Sequence, residues 1–174
     1  MWQLQGDASG KYLIGTSGNT KSLSGIDDNH LYVFNIQQSG ANAGAITQAL
    51  GSPIITVSSP LTIAMQPAAS AGEFVYSFGI NDAANGFNPI EGFKLDTTTG
   101  ILTALGANGG VFLGQWGQFD ESGANLIVYS NVFSGGSTVT QLGALAVASD
   151  GSLSQPISPV SLTTSGYWVV TDPQ

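Results

Sequence analysis

Phe93-Lys94-Leu95-Asp96-Thr97-Thr98-Thr99-Gly100-Ile101-Leu102-Thr103 reads as an aromatic-rich strand, a polar turn closed by glycine, and the start of another strand. The end of this stretch is written three times, as Gly44-Ala45-Ile46-Thr47, Gly100-Ile101-Leu102-Thr103 and Gly151-Ser152-Leu153-Ser154. A second signature lies at the head of the unit. Trp116-Gly117-Gln118-Phe119-Asp120-Glu121-Ser122-Gly123 matches Trp2-Gln3-Leu4-Gln5-Gly6-Asp7-Ala8-Ser9-Gly10, which carries one extra residue. A further head begins at Trp168-Val169-Val170-Thr171-Asp172-Pro173-Gln174. A period of roughly 50 to 60 residues is long for most solenoids and suits a blade of a β-propeller.

Each unit is expected to hold four short strands. The first covers Trp2–Gly6, Leu61–Gln66 and Trp116–Asp120, and starts again at Trp168–Asp172. A glycine-bearing hairpin turn follows. The second strand is Tyr12–Gly15, Phe74–Ser77 and Leu126–Tyr129, where β-branched and aromatic residues dominate. After a polar loop comes the third, at Leu31–Ile36, Ile90–Leu95 and Leu142–Val147. The fourth lies near Ile46–Ala49, Ile101–Leu105 and Leu153–Gln155. Four antiparallel strands make one twisted sheet, and sheets repeated radially make a propeller. No amphipathic helical period is present.

The expected fold is therefore all-β, with about three four-stranded blades plus one inner strand of an incomplete propeller. The blades span about 1–59, 60–113 and 114–165, and the last inner strand about 166–174. A β-sandwich would share the turn spacing. The matching head, turn and tail in successive units favour blades.

Composition agrees with a turn-rich all-β domain. The chain has 174 residues, 42% hydrophobic, 24 glycines and a mean hydropathy of +0.18, which argues against disorder. Only 8% of residues are charged, and the formal charge of −8 reflects scarcity of bases. Lys11, Lys21 and Lys94 are the only cationic side chains besides His30, and arginine is absent. Nucleic-acid binding, which needs clustered cations, is thereby disfavoured, as is adsorption to anionic membranes. Without cysteine there are no disulfides and no thiolate metal sites. No apolar run is long enough to span a membrane as a helix. The Ser/Thr/Gly/Asn-rich, base-poor composition resembles exported bacterial proteins, so an extracellular or periplasmic location is expected, with any signal outside this stretch.

The blade grammar resembles the lactonase-type seven-bladed β-propellers, the 6-phosphogluconolactonase-like group. Phe93 to Thr103 is the closest match to that group's strand and Thr-Gly-x-Leu-Thr turn, and Ser122-Gly123 to Tyr129 the next. The resemblance covers nearly the whole chain and implies a partial propeller, with lactone hydrolysis as the activity of the family. Such a propeller is longer than this chain. An activity on a phosphorylated sugar acid also needs cations for the phosphate, which this chain largely lacks.

Candidate chemistry is sparse. In a propeller, the loops from strand two to three and from strand four to the next blade share one face, which usually carries the ligand. His30, the sole histidine, follows Asp27, Asp28 and Asn29; with either aspartate it is the only histidine-based acid–base pair available for lactone hydrolysis. The same residues also suit a polar loop held by Asx turns. Asn81, Asp82 and Asn85 occupy the corresponding loop of the next unit and offer a shared polar site. Trp2, Trp116 and Trp168 recur at the mouth of the expected channel, with Thr62 taking their place in the second unit. They could stack on a sugar or another flat ligand, or pack between neighbouring blades. No Gly-x-Ser-x-Gly elbow, EF-hand spacing or phosphate-binding glycine loop occurs, and no cofactor or metal is implied. Asp120-Glu121 read as turn residues.

Two functions follow as expectations. One is a non-enzymatic binding or scaffold module of a secreted lactonase-like protein, with a small-molecule or carbohydrate ligand. The other is a lactonase or related hydrolase whose site is completed elsewhere. Blades at the ends of a three-blade array expose apolar faces, so self-association, or the remaining blades of a longer chain, is expected to cover them.

Overall fold

The alternating apolar strands fold into three antiparallel sheets stacked side by side. The fold was obtained as a computed structural model that describes residues 3–17, 29–67, 73–80, 90–107, 114–134, 137–155 and 157–162. Sheet 1 has the order β1 (Leu4–Gly6), β2 (Tyr12–Thr16), β3 (His30–Ile36), β4 (Ile46–Gln48), with β5 (Ile54–Ile55) also paired to β3. Sheet 2 follows as β6 (Ser59–Met65), β7 (Glu73–Ile80), β8 (Ile90–Leu95), β9 (Leu102–Ala107). Sheet 3 is β10 (Trp116–Phe119), β11 (Asn125–Ser134), β12 (Ser137–Val147), β13 (Leu153–Ser154), with β14 (Val160–Leu162) also on β12. The described residues contain no helix. Each sheet is a propeller-like blade, and among the described residues the three do not close into a ring.

Turn chemistry explains the repeat's two signatures. In the head turn, Asp7 Oδ1 accepts the Tyr12 N–H at 2.7 Å and Asp120 Oδ1 accepts the Asn125 N–H at 3.1 Å. The hydroxyls of Ser9 and Ser122 donate to the same two carboxylates. Asp-x-Ser-Gly is thus a self-capping hairpin. In the tail turn, Gly44, Gly100 and Gly151 have φ of 85°, 75° and 81°. This left-handed conformation favours glycine, hence the threefold recurrence.

The fourth-strand position departs from the sequence expectation in sheets 1 and 3. In sheet 2, β9 accompanies β8 from Leu95 to Glu91, with one irregularity. In sheet 1 the same position is split: β4 pairs Phe34–Ile36, and β5 pairs His30 and Leu31. In sheet 3, β13 and β14 divide β12 likewise. Pro53 and Pro159 stand immediately before the two extra strands, and proline has no N–H to continue a ladder. Across the first gap, the Val33 N–H donates to Ser52 Oγ at 2.9 Å while the Ala49 N–H donates to Val33 O at 2.9 Å.

Two cores result, one on each face of sheet 2. Ile14, Leu31 and Val33 of sheet 1 pack with Ile63, Val75, Phe93 and Leu95 of sheet 2. Phe74, Tyr76 and Phe78 on the other face pack with Phe119, Leu126, Val128 and Leu145 of sheet 3. Glu73 to Gly79 are consequently buried on both faces of their strand, whereas β2 and β11 each bury one face more deeply than the other.

Contact between sheets 2 and 3 is very close at one point. A Cβ on Gly117 would stand 2.3 Å from Phe78 Cζ, and Phe78 is fully buried. Only a glycine lets the β10 backbone lie against this ring.

Candidate functional site

The first strands of neighbouring blades approach one another, and polar side chains on them and on β2 tie the blades together. Gln3 Oε1 accepts the Ile63 N–H at 2.6 Å. The Thr16 hydroxyl donates to Leu61 O at 3.0 Å, and the Thr62 hydroxyl to Gln115 O at 3.3 Å. Strands β1, β6 and β10 thereby frame an axial groove of about 410 Å³.

Gln3, Gln5, Met65, Trp116 and Gln118 line this groove, with Asp120 and Glu121 at its turn end. Gln5 Oε1 is buried with no protein partner, so the groove holds an unused acceptor. Burial opposes ionisation of Asp120, but hydrogen bonds from Asn125, Ser122 and Ala124 outweigh it and hold the carboxyl below its usual range. The groove thus combines amide dipoles, one indole and carboxylates. No lysine lines it. Such a surface suits an uncharged, hydroxyl-rich ligand and opposes a phosphate.

A polar network lies near the start of β10. Asn131 Nδ2 donates to Gln115 Oε1 at 3.1 Å, while Asn131 Oδ1 accepts from the hydroxyls of Tyr129 at 3.1 Å and Thr140 at 2.9 Å. These four side chains orient one another and fix the amide of Asn131.

Two buried carboxylates have contrasting surroundings. Glu91 accepts the Val57 N–H at 2.9 Å, the Ser58 N–H at 2.9 Å and the Ser58 hydroxyl at 3.0 Å. It clamps the crossover from sheet 1 to sheet 2. Glu73 faces sheet 1 and receives only a long hydrogen bond of 3.4 Å from the Ala8 N–H, while its Oε1 is buried and unpartnered. Burial raises its pKa to about 7, opposed by the Ala8 N–H and assisted by the nearby Asp7 carboxylate. Neither glutamate lines the groove.

Of the residues expected to carry function, His30 and Trp116 fall within the described structure; Trp2, Asp27, Asp28, Asn81, Asp82, Asn85 and Trp168 lie outside the described residues. His30 opens β3, and its N–H donates to Ser17 Oγ at 3.1 Å. Its ring lies 6.1 Å from that of Tyr32, on the face of sheet 1 turned away from sheet 2. Trp116 lines the groove on the other side of that sheet, so the fold does not bring these two together. Counted back from the shared turn aspartate, Trp116 is equivalent to Gln3 and not to Trp2. The glutamines were missed by sequence reading, although Gln5-Gly6-Asp7 and Gln118-Phe119-Asp120 repeat the same spacing.

Neither a family model nor a curated relative matches the chain. A crystal structure from Bacteroides uniformis, provisionally assigned as a 6-phosphogluconolactonase, is similar at a TM-score of 0.63 and 11% identity, over 91% of this chain and 40% of that one. Another from Bacteroides fragilis, with the same provisional assignment, gives a TM-score of 0.40 and 15% identity, over 92% of this chain and 54% of that one. The chain therefore spans about two fifths to half of the solved structures it resembles. The first likeness supports a lactonase-like fold and is silent on the number of blades.

Proposed function

We propose that the chain contributes blades to a lactonase-like hydrolase that opens an unphosphorylated lactone, with its site completed by further blades or by a second chain. The axial groove carries this reading. It lies where the first strands of all three blades meet, and it offers amides and an indole without a cation. The fold likeness to a provisional lactonase supports the same reading by analogy.

The reaction sets what the residues must do. Water adds to the ester carbonyl as a base removes its proton, and a donor stabilises the tetrahedral oxyanion. The ring C–O bond then breaks, the leaving alkoxide takes a proton, and a hydroxy acid results. Gln3, Gln5 and Gln118 can orient hydroxyls of the substrate, and Trp116 can cover an apolar sugar face. Within this chain, the candidates for the base are Glu121 at the groove and His30 with Asp27 or Asp28.

A panel of neutral and phosphorylated lactones tests the reading, with the chain and any longer polypeptide carrying it assayed beside Gln118→Ala and His30→Ala. Expected is turnover of neutral lactones that falls at least tenfold in the groove variant. Sugar binding without turnover would support a non-catalytic module instead. Turnover lost only in His30→Ala would move the chemistry away from the groove.

A further inference from the structure

Sheets 1 and 3 each turn one face away from sheet 2, and the repeat shows what those faces match. Registered on their strand pairs, Leu13, Phe34 and Ile36 of sheet 1 are equivalent to Val75, Phe93 and Leu95 of sheet 2. The latter three are at most 1% exposed against sheet 1, whereas the former are only partly buried. On the opposite side, Ile127 and Tyr129 of sheet 3 are equivalent to Tyr76 and Phe78 of sheet 2. The sheet 2 pair is fully buried, and the sheet 3 pair is partly exposed.

We propose that these two faces, uncovered among the described residues, are complementary halves of one blade–blade interface, and that a second copy of this chain fills them head to tail. The face of sheet 3 has the character that sheets 1 and 2 present to the blade after them. The face of sheet 1 has the character that sheets 2 and 3 present to the blade before them. A further step of the arrangement relating sheet 1 to 2, and 2 to 3, lays sheet 1 of a second copy against sheet 3 of the first. This continuity with the two interfaces already inside the molecule makes a second copy the fitting occupant.

Chemistry on the two faces agrees. Tyr32 and Phe34 stack at 6.3 Å with planes 12° apart. Leu4, Ile46 and Ile55 beside them are 50%, 57% and 71% exposed. On sheet 3, Trp116 occupies the position at which Gln3 and Thr62 bond to the following first strand. Val160, paired with Leu142 on that face, is 63% exposed. Exposed apolar surface of this kind marks an interaction face. A contact between unlike faces closes only if its rotation does. Two copies of three blades would make a ring of six, within the usual propeller range of about four to eight.

Sedimentation equilibrium of the 174-residue chain at micromolar concentration tests the proposal. A closed dimer is expected. Phe34→Glu on one face or Ile127→Lys on the other should each abolish it, with near-ultraviolet circular dichroism reporting that the chain stays folded. Mixing the two variants should restore dimers, because one intact pair of unlike faces survives and the altered pair is oppositely charged. A second measurement avoids any loss of folding. The chain has no cysteine, so Phe34→Cys and Ile127→Cys chains, mixed under oxidation, should form the cross-linked heterodimer. Their equivalents, Phe93 and Ile14, share one core. Cross-links between like faces would overturn the proposal. So would a stable, folded monomer, whose free faces would then be left for blades of a longer polypeptide.

Discussion

Glu73→Gln should remove a stability cost that appears only as the pH rises. The wild-type side chain is 3% exposed, with one oxygen unpartnered and the other at 3.4 Å from the Ala8 N–H. Burial, with Asp7 nearby, raises its pKa from 4.5 to about 7. The folded state therefore prefers the neutral acid. Below about pH 4.5 the carboxyl is protonated whether the chain is folded or unfolded, and it costs nothing extra. Between about pH 4.5 and 7 the unfolded chain ionises first, and stability falls. The shift corresponds to about 3 kcal/mol, an upper figure for the loss, complete above pH 7. The amide of the variant does not titrate, though it too meets an environment poor in partners. The difference in unfolding free energy between the variant and the wild type should thus grow by about 2–3 kcal/mol from pH 4.5 to 8. For a chain of this length that is a relative gain of about 4–12 °C in Tm. Paired urea melts across this range measure it, and any constant packing effect of the substitution cancels. A difference that stays flat within about 0.5 kcal/mol would refute the assignment of a buried, high-pKa carboxyl to this seam.

Three further outcomes are expected. Gly117→Ala forces a Cβ to 2.3 Å from the Phe78 ring and should destabilise by about 1–3 kcal/mol in a denaturant melt. Glu91→Ala leaves the Val57 and Ser58 N–H groups without their acceptor and should cost about 2–4 kcal/mol, with Glu91→Gln recovering part of the loss. Asp120→Ala should cost about 1–2 kcal/mol near neutral pH; because hydrogen bonding lowers the wild-type pKa, the wild type should lose this advantage as the pH falls through the folded value, below the normal carboxylate range.

Blade grammar was legible because it is local. The positive φ at Gly44, Gly100 and Gly151 and the aspartate-capped turns at Asp7 and Asp120 depend on residues within a few positions of one another. Twelve strands could therefore be placed from turns and apolar alternation. The two extra strands could not. Ile54–Ile55 and Val160–Leu162 follow a proline and are very short, so their pairing depends on what β3 and β12 leave unsatisfied. The groove was hidden for a related reason. Gln5 and Gln118 are distant in the chain and become neighbours only when the first strands converge. A tryptophan draws the eye as a ligand platform, but its residue type alone does not say which face of a strand it takes.

That facing decides how the end blades should be understood. Strand β2 reads Tyr12-Leu13-Ile14-Gly15-Thr16, and β11 includes Leu126-Ile127-Val128-Tyr129, with apolar residues on both sides of each. A sheet with one solvated face usually alternates apolar and polar residues. Neither strand does so. Both instead follow β7, which is buried on both faces from Glu73 to Gly79. An interior pattern on a terminal blade costs solubility unless something covers it. The equivalence of Phe34 to Phe93, and of Ile127 to Tyr76, favours another sheet of the same repeat as the neighbour that would cover them. The groove at the axis is bounded by the same geometry. Further first strands would extend the groove, so the proposed site and the proposed assembly both call for additional sheets of this repeat. A ring that closes on Phe34 and Ile127 should therefore change ligand affinity at Gln5 and Gln118, since Gln118 pairs with Ile127 and shares its face.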